Sequence, residues 1–137
     1  MKRVGVLLLL AANLAYAETG KLPVSNENRW KSECGSCHIA YPPQLMSTEN
    51  WQGLMGSLDK HFGSDATLDP KVNKDILGFL KRNAGSGELY SSTSLRISDT
   101  PWFKREHHVI AAKEWSNSNV KSRSNCESCH GKTVLGN

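Results

Sequence analysis

Two segments of the chain repeat one pattern, Cys34-Gly35-Ser36-Cys37-His38 towards the start and Cys126-Glu127-Ser128-Cys129-His130 towards the end. Both read Cys-x-x-Cys-His, the sequence to which c-type haem is attached. The spacing has a physical reason. Two thiols three positions apart on a helical turn point the same way, so both reach the vinyl groups along one edge of a porphyrin. The histidine that follows swings beneath the ring and binds iron as its proximal ligand. Ser36 and Ser128 are small, as residues squeezed against a porphyrin edge should be.

Paired cysteines have three other uses: structural disulfides, a four-Cys zinc site and a redox-active Cys-x-x-Cys of thioredoxin type. None of them needs the histidines. With five His in 137 residues, a His directly after a given Cys-x-x-Cys is about a one-in-thirty accident, and it occurs after both pairs. The sequence therefore implies two covalently bound c-type haems, attached through Cys34, Cys37, Cys126 and Cys129, with His38 and His130 on the irons.

The N-terminus agrees with this chemistry. Lys2 and Arg3 precede an apolar run from Val4 to Ala12, and the small-residue triplet Ala15-Tyr16-Ala17 stands ahead of Glu18. That order is a secretory signal peptide with cleavage expected after Ala17, and the run is too short for the roughly 20 apolar residues of a membrane anchor. The expected location is the periplasm, where bacterial c-type haem is attached, with no membrane span in the mature chain. Removing residues 1–17 takes Lys2 and Arg3 away and leaves 15 basic against 13 acidic side chains. With four haem propionates added, the loaded protein is near neutral or slightly acidic, which gives a nucleic-acid partner no electrostatic footing.

The rest of the chain reads as mainly α, with few or no strands. Asn28 to Ile39 reads as a helix or helical turn stopped by Tyr41-Pro42-Pro43. From Thr48, Trp51, Leu54, Met55, Leu58 and Phe62 recur at helical spacing, with Gly63 as the expected cap. Asp69 and Pro70 open a helix whose stripe is Val72, Ile76, Phe79 and Leu80. Gly85-Ser86-Gly87 and the Ser/Thr run from Ser91 to Ser94 carry turn formers and mark a boundary between a first haem domain, 18–86, and a linker with a second haem domain, 87–137. Thr100 and Pro101 open a further helix with Trp102, Phe103, Val109 and Ile110 on one side, and a last short helix is expected over Asn119 to His130. Two domains this small need help to be stable, and covalent haem supplies it.

Each iron has a second axial position. His61, His107, His108, Met46 and Met55 are the side chains available to fill it in the mature chain. His61 falls on the buried edge of the helix that begins at Thr48, whereas Met55, on the same stripe, reads more simply as packing. His107 and His108 are about 100° apart on a helix, so both cannot face one iron. Phe103 and Ile110 put His107 beside the apolar side, and His108 falls nearly opposite, facing solvent or a propionate.

These residues give the chain its likeness. It resembles the small soluble dihaem cytochromes c of bacterial electron-transfer chains, called DHC, over nearly all of its mature length. In the first half the likeness rests on Glu33-Cys34, Cys37-His38, Ala40-Tyr41-Pro42-Pro43, Trp51, Leu54-Met55 and His61-Phe62-Gly63. In the second it rests on Leu95-Arg96-Ile97, Trp102-Phe103, Glu106-His107 and Asn125-Cys126 through His130. The resemblance implies two haem domains, the first similar to a class I cytochrome c, and bis-histidine ligation at both haems, carried over to His61 and His107. It also implies partners: a small oxygen-binding monohaem cytochrome that receives electrons, and a membrane b-type cytochrome. The chain itself is expected to be a monomer.

Two six-coordinate haems leave no open position for dioxygen, peroxide or a small substrate, so an electron carrier and not an enzyme is expected. Ligation by two imidazoles lacks the thioether that raises potential, which implies comparatively low potentials. A dihaem peroxidase, in which one iron sheds a ligand on reduction, and a ligand sensor, in which His107 and His108 exchange, are the rival readings.

Overall fold

The computed structural model describes residues 25–131. The expected signal peptide and its expected cleavage after Ala17 lie outside the described residues, as do residues 132–137. Six helices run in order: α1 (Asn26–Cys34), α2 (Thr48–Met55), α3 (Pro70–Arg82), α4 (Pro101–Glu106), α5 (Ala112–Trp115) and α6 (Glu127–His130), with short 3-10 turns between them. Among the described residues there is no strand, only the isolated bridges Ser47–Gly85 and His61–Ser64. The mainly α expectation holds. No described helix is long and apolar enough to cross a membrane.

Local chemistry accounts for the first three helices. Ser25 accepts a hydrogen bond from the Asn28 amide at the start of α1, and Glu27 pairs with Lys31 along it at 3.1 Å. The helix ends at Cys34, not at Ile39 as expected. A Cβ on Gly35 would lie 2.3 Å from the Lys31 carbonyl oxygen, so glycine permits the chain to close the helix there. The first attachment motif therefore starts on the last helical residue and continues through a turn. In α3 the Asp69 carboxylate accepts from the Lys71 and Val72 amides, and Pro70 takes the first position. Ile76 and Leu80 on its expected stripe are fully buried.

The core sits where α1, α2 and α3 converge, with Trp30, Met46, Trp51, Met55, Ile76 and Leu80 buried together. Trp30 packs on Phe79 at 5.3 Å between ring centres. The indole N–H of Trp51 is not left unpaired: it donates to the Pro43 carbonyl at 2.7 Å. Met46 and Met55 belong to this core, which makes their thioethers packing groups.

Three expected elements come out differently. The helix from Thr48 stops at Met55 with Gly56 as its cap, and Leu58–Lys60 form a separate 3-10 turn. His61 consequently follows that turn and is not on a helix edge. Phe62 is 45% exposed with φ +50°, and Gly63, at φ +100°, belongs to the His61–Ser64 turn and caps nothing. The helix opened by Pro101 ends at Glu106, so Val109 (74% exposed) and Ile110 (40%) leave the apolar side. The last helix is confined to Glu127–His130, with turns and bends from residue 119 to 126 where helix was expected.

The stretch read as a linker is stitched to the first half. Gly85 donates to the Met46 carbonyl at 2.9 Å, and Ser47 donates to the Tyr90 carbonyl at 2.8 Å. A Cβ on Gly85 would lie 2.4 Å from the Gln44 carbonyl oxygen, so only glycine allows this approach. The Asn50 side chain accepts from the Ser92 amide at 3.0 Å and donates to the Ser92 carbonyl.

Candidate functional site

The chain brings four histidines together in two pairs. Around the first motif, the rings of His38 and His61 face each other with centres 6.0 Å apart and planes 23° from parallel. Around the second, His107 and His130 are also 6.0 Å apart, but their planes cross at 84°. His108, by contrast, is exposed and donates from Nδ1 to the Arg105 carbonyl at 2.7 Å.

Tight backbone geometry presents these rings. The Leu58 carbonyl accepts from the His61 amide at 3.3 Å and from the Ala66 amide at 2.9 Å, which pinches the loop that carries His61. Phe62 adopts a left-handed conformation unusual for an aromatic residue, a local strain of the kind found at functional positions. The helix projection that singled out His61 and His107 thus rested on helices that end earlier, at Met55 and Glu106.

His107 stands just past the end of α4. Its backbone N–H and its Nδ1 both approach the Phe103 carbonyl, at 3.0 and 2.9 Å. A carbonyl only accepts, so Nδ1 carries the proton and Nε2 keeps the lone pair a metal needs. His38 is set the same way, with Nδ1 donating to the Ile39 carbonyl at 2.7 Å. The Nδ1 of His61 is buried and finds no hydrogen-bond partner among the described residues. Burial, then His38 and Arg96, hold the His61 imidazole below its ordinary pKa, which favours the neutral ring.

Both sites are lined with aromatic rings. Tyr41 stacks on His38 at 4.8 Å, and Phe103 stacks on His107 at 4.1 Å with planes 17° apart. Trp115 flanks His107 at 5.9 Å and carries the Arg123 guanidinium over its face at 5.4 Å. Trp115 escaped the sequence reading because α5 is too short for periodicity, and its one signal is an isolated tryptophan in a polar stretch. Tyr41 figures in the sequence as the end of a helix and in the family likeness, but not as a neighbour of the iron ligands, although an aromatic residue three places after the motif histidine is a usable cue.

The geometry separates the rival uses of the cysteines. Among the described residues no group of three or more His, Cys, Asp or Glu side chains is gathered closely enough to hold a metal ion. All four are free of disulfides. Burial, with Glu33 adding to it, pushes the Cys34 thiol up to about 11, and burial also raises Cys126. A redox-active Cys-x-x-Cys needs the opposite, a thiol held low. The histidine pairs, in turn, fit haem iron. Two metal–imidazole bonds of about 2 Å, with each ring centre about 1 Å beyond its nitrogen, put opposed ring centres about 6 Å apart.

A chain helical and without strands among its described residues, with two Cys-x-x-Cys-His motifs whose histidines each face a second imidazole, is a c-type cytochrome with two haem sites. Residues 30–137 match the family described as dihaem cytochrome c, DHC, and the chain belongs to that family. It is similar to DHC purified from Rhodobacter sphaeroides, at 37% identity over 79% of this chain and 93% of that one, with a TM-score of 0.68. It is also similar to the dihaem cytochrome type c of Shewanella baltica OS155, at 31% identity over 83% and 88% of the two chains and a TM-score of 0.71. Curated protein sequences give no match. The chain carries two c-type haems, and its role is haem-based electron transfer.

Proposed function

We propose that this chain is a periplasmic electron carrier whose two haems are each gripped by two imidazoles, His38 with His61 and His130 with His107, and that it has no catalytic activity of its own. The observation that carries the reading is the separation within both histidine pairs, 6.0 Å between ring centres, which suits one iron between them. When bound, haem supplies one-electron exchange between ferrous and ferric iron. The chain does the rest. Cys34 and Cys37, and Cys126 and Cys129, tether the porphyrin edges. The Ile39 and Phe103 carbonyls hold His38 and His107 in the tautomer whose Nε2 is free to bind. Tyr41, Phe103 and Trp115 pack against the imidazoles of His38 and His107.

Filling both axial positions leaves no place for a small substrate, which separates this reading from a dihaem peroxidase or a gas sensor. Export rests on the leader expected over residues 1–17, and the division at 86/87 into two haem domains rests on sequence composition. A small oxygen-binding monohaem cytochrome and a membrane b-type cytochrome are the partners the family likeness suggests, and a weak, transient contact suits such exchange.

Spectroscopy tests the proposal. The oxidised protein should give two low-spin ferric signals, one rhombic from the near-parallel pair and one strongly axial from the near-perpendicular pair, because the ring planes set the splitting of the iron π orbitals. The reduced protein should be inert to carbon monoxide. Replacing His107 with Gly should convert one haem to high spin, and His108→Gly should leave both unchanged. A rapid carbon monoxide complex in the wild type, or a high-spin haem in the His108 variant alone, overturns the assignment.

A further inference from the structure

We propose that Tyr41 is the positioning residue that ties the second attachment segment to the first haem site and so sets how the two haems sit relative to each other. The inference rests on the functional reading above and extends it to a residue that neither tethers haem nor binds iron.

Tyr41 has one end in each site. Its ring stacks on His38 at 4.8 Å with planes 23° apart, and its hydroxyl donates to the Ser124 carbonyl at 2.5 Å. Ser124 stands two residues before Cys126. One side chain therefore connects an iron-binding imidazole of the first site to the chain that opens the second motif. The two motifs also share a cavity of about 310 Å³, with Cys37, His38 and Tyr41 on one wall and Ser124, Asn125 and Cys126 on the other.

The tie has no substitute nearby. Every other hydrogen bond made by residues 104–131, among the described residues, is to a partner within a few positions in sequence. The 41–124 bond alone joins that segment to the helical core. Without it, the segment from Ser122 to Cys126 is held by its own turns, by the Asn125 side chain on the Val120 carbonyl and by Arg123 over the Trp115 ring, none of which reaches the helical core. Electron exchange between two centres falls steeply with their separation, so a residue that fixes this segment bears directly on the family's role.

The test uses holoprotein and compares the wild type with Tyr41→Phe, which keeps the ring and removes the donor, and Tyr41→Leu, which removes both. Both haems should stay bound and low spin in Tyr41→Phe. The amides of Asn125, Ser128 and Cys129 should exchange with deuterium about tenfold faster, the effect of losing one hydrogen bond, and the gap between the two midpoint potentials should change. Tyr41→Leu should shift the first site's potential further, because the His38 stack is lost as well. Unchanged exchange and unchanged potentials in both variants overturn the inference. Should neither variant accumulate, the wild type still decides: fast exchange at Asn125 and Cys129 in the intact holoprotein overturns it, and slow exchange at both supports it. A wild type with a high-spin haem defeats the functional reading itself, a result distinct from a low-spin wild type indifferent to Tyr41→Phe.

Discussion

The two halves of the molecule solve the same problem with unequal means. In the first, α1, α2 and α3 enclose Trp30, Met46, Trp51, Met55, Ile76 and Leu80, a protein core that exists beside the haem site. Beyond Leu80, the only buried hydrophobic side chain among the described residues is Phe103, and that ring is stacked on His107. The second half thus places its best apolar side chain against one of its paired histidines. Its helices α5 and α6 have four residues each, too short to be stable alone. Where the first half has a protein core beside its histidine pair, the second has little but Phe103, and we propose that haem itself would serve as its core.

The sharpest way to break that comparison is to remove the tethers of each half in turn. Replacing Cys126 and Cys129 with Ala should cost the second haem and the order of residues 104–131, read as amide exchange approaching that of an unstructured chain, while α1–α3 keep their protection. Replacing Cys34 and Cys37 with Ala should cost the first haem yet leave much of the α1–α3 protection in place. Equal collapse in the two variants would show that the asymmetry is false.

A core substitution sharpens the same contrast from the other side. Leu80 is fully buried between α3 and its neighbours, so Leu80→Ala should destabilise the first half by about 2–5 kcal/mol. Denaturant unfolding followed by absorbance at both haems is the measurement. The first site's transition should move to lower denaturant by the larger amount. A loss under about 1 kcal/mol would mean that haem, not the helical core, holds the first half together as well.

What could be read from the sequence follows the same division. The motifs are covalent chemistry, and their meaning does not depend on the fold. Asp69-Pro70 and the Ile76/Leu80 stripe were legible because α3 buries its stripe against protein. Leu58 and Phe62 misled because Gly56 ends α2 before their spacing counts. Val109 and Ile110 misled because His107 turns its ring back onto the Phe103 carbonyl at the helix end, a local bond that periodicity does not register. The His61 and His107 pairings come from tertiary approach, which no sequence spacing encodes. Apolar residues also look alike whether they face a helix or a porphyrin, and in the second half that distinction decides the fold.

The smallest expected effect distinguishes the two sites electrostatically. Arg96 lies with its guanidinium carbon 4.1 Å from the centre of the Phe62 ring, next to His61, and forms no salt bridge among the described residues. Its charge already disfavours a second positive charge there, as the lowered His61 pKa reflects behind the larger effects of burial and of His38. Ferric iron carries one more positive charge than ferrous, so Arg96 works against oxidation at the first site. Removing that charge in Arg96→Gln should lower the first midpoint potential. Arg96 is exposed, which limits the interaction to about 0.2–1 kcal/mol, or about 10–40 mV for one electron. The shift should shrink as salt is raised from low to physiological ionic strength, and the second potential should hardly move. A larger shift at the second site would place Arg96 nearer that haem than its stack on Phe62 implies, and a rise at the first site would overturn the electrostatic account.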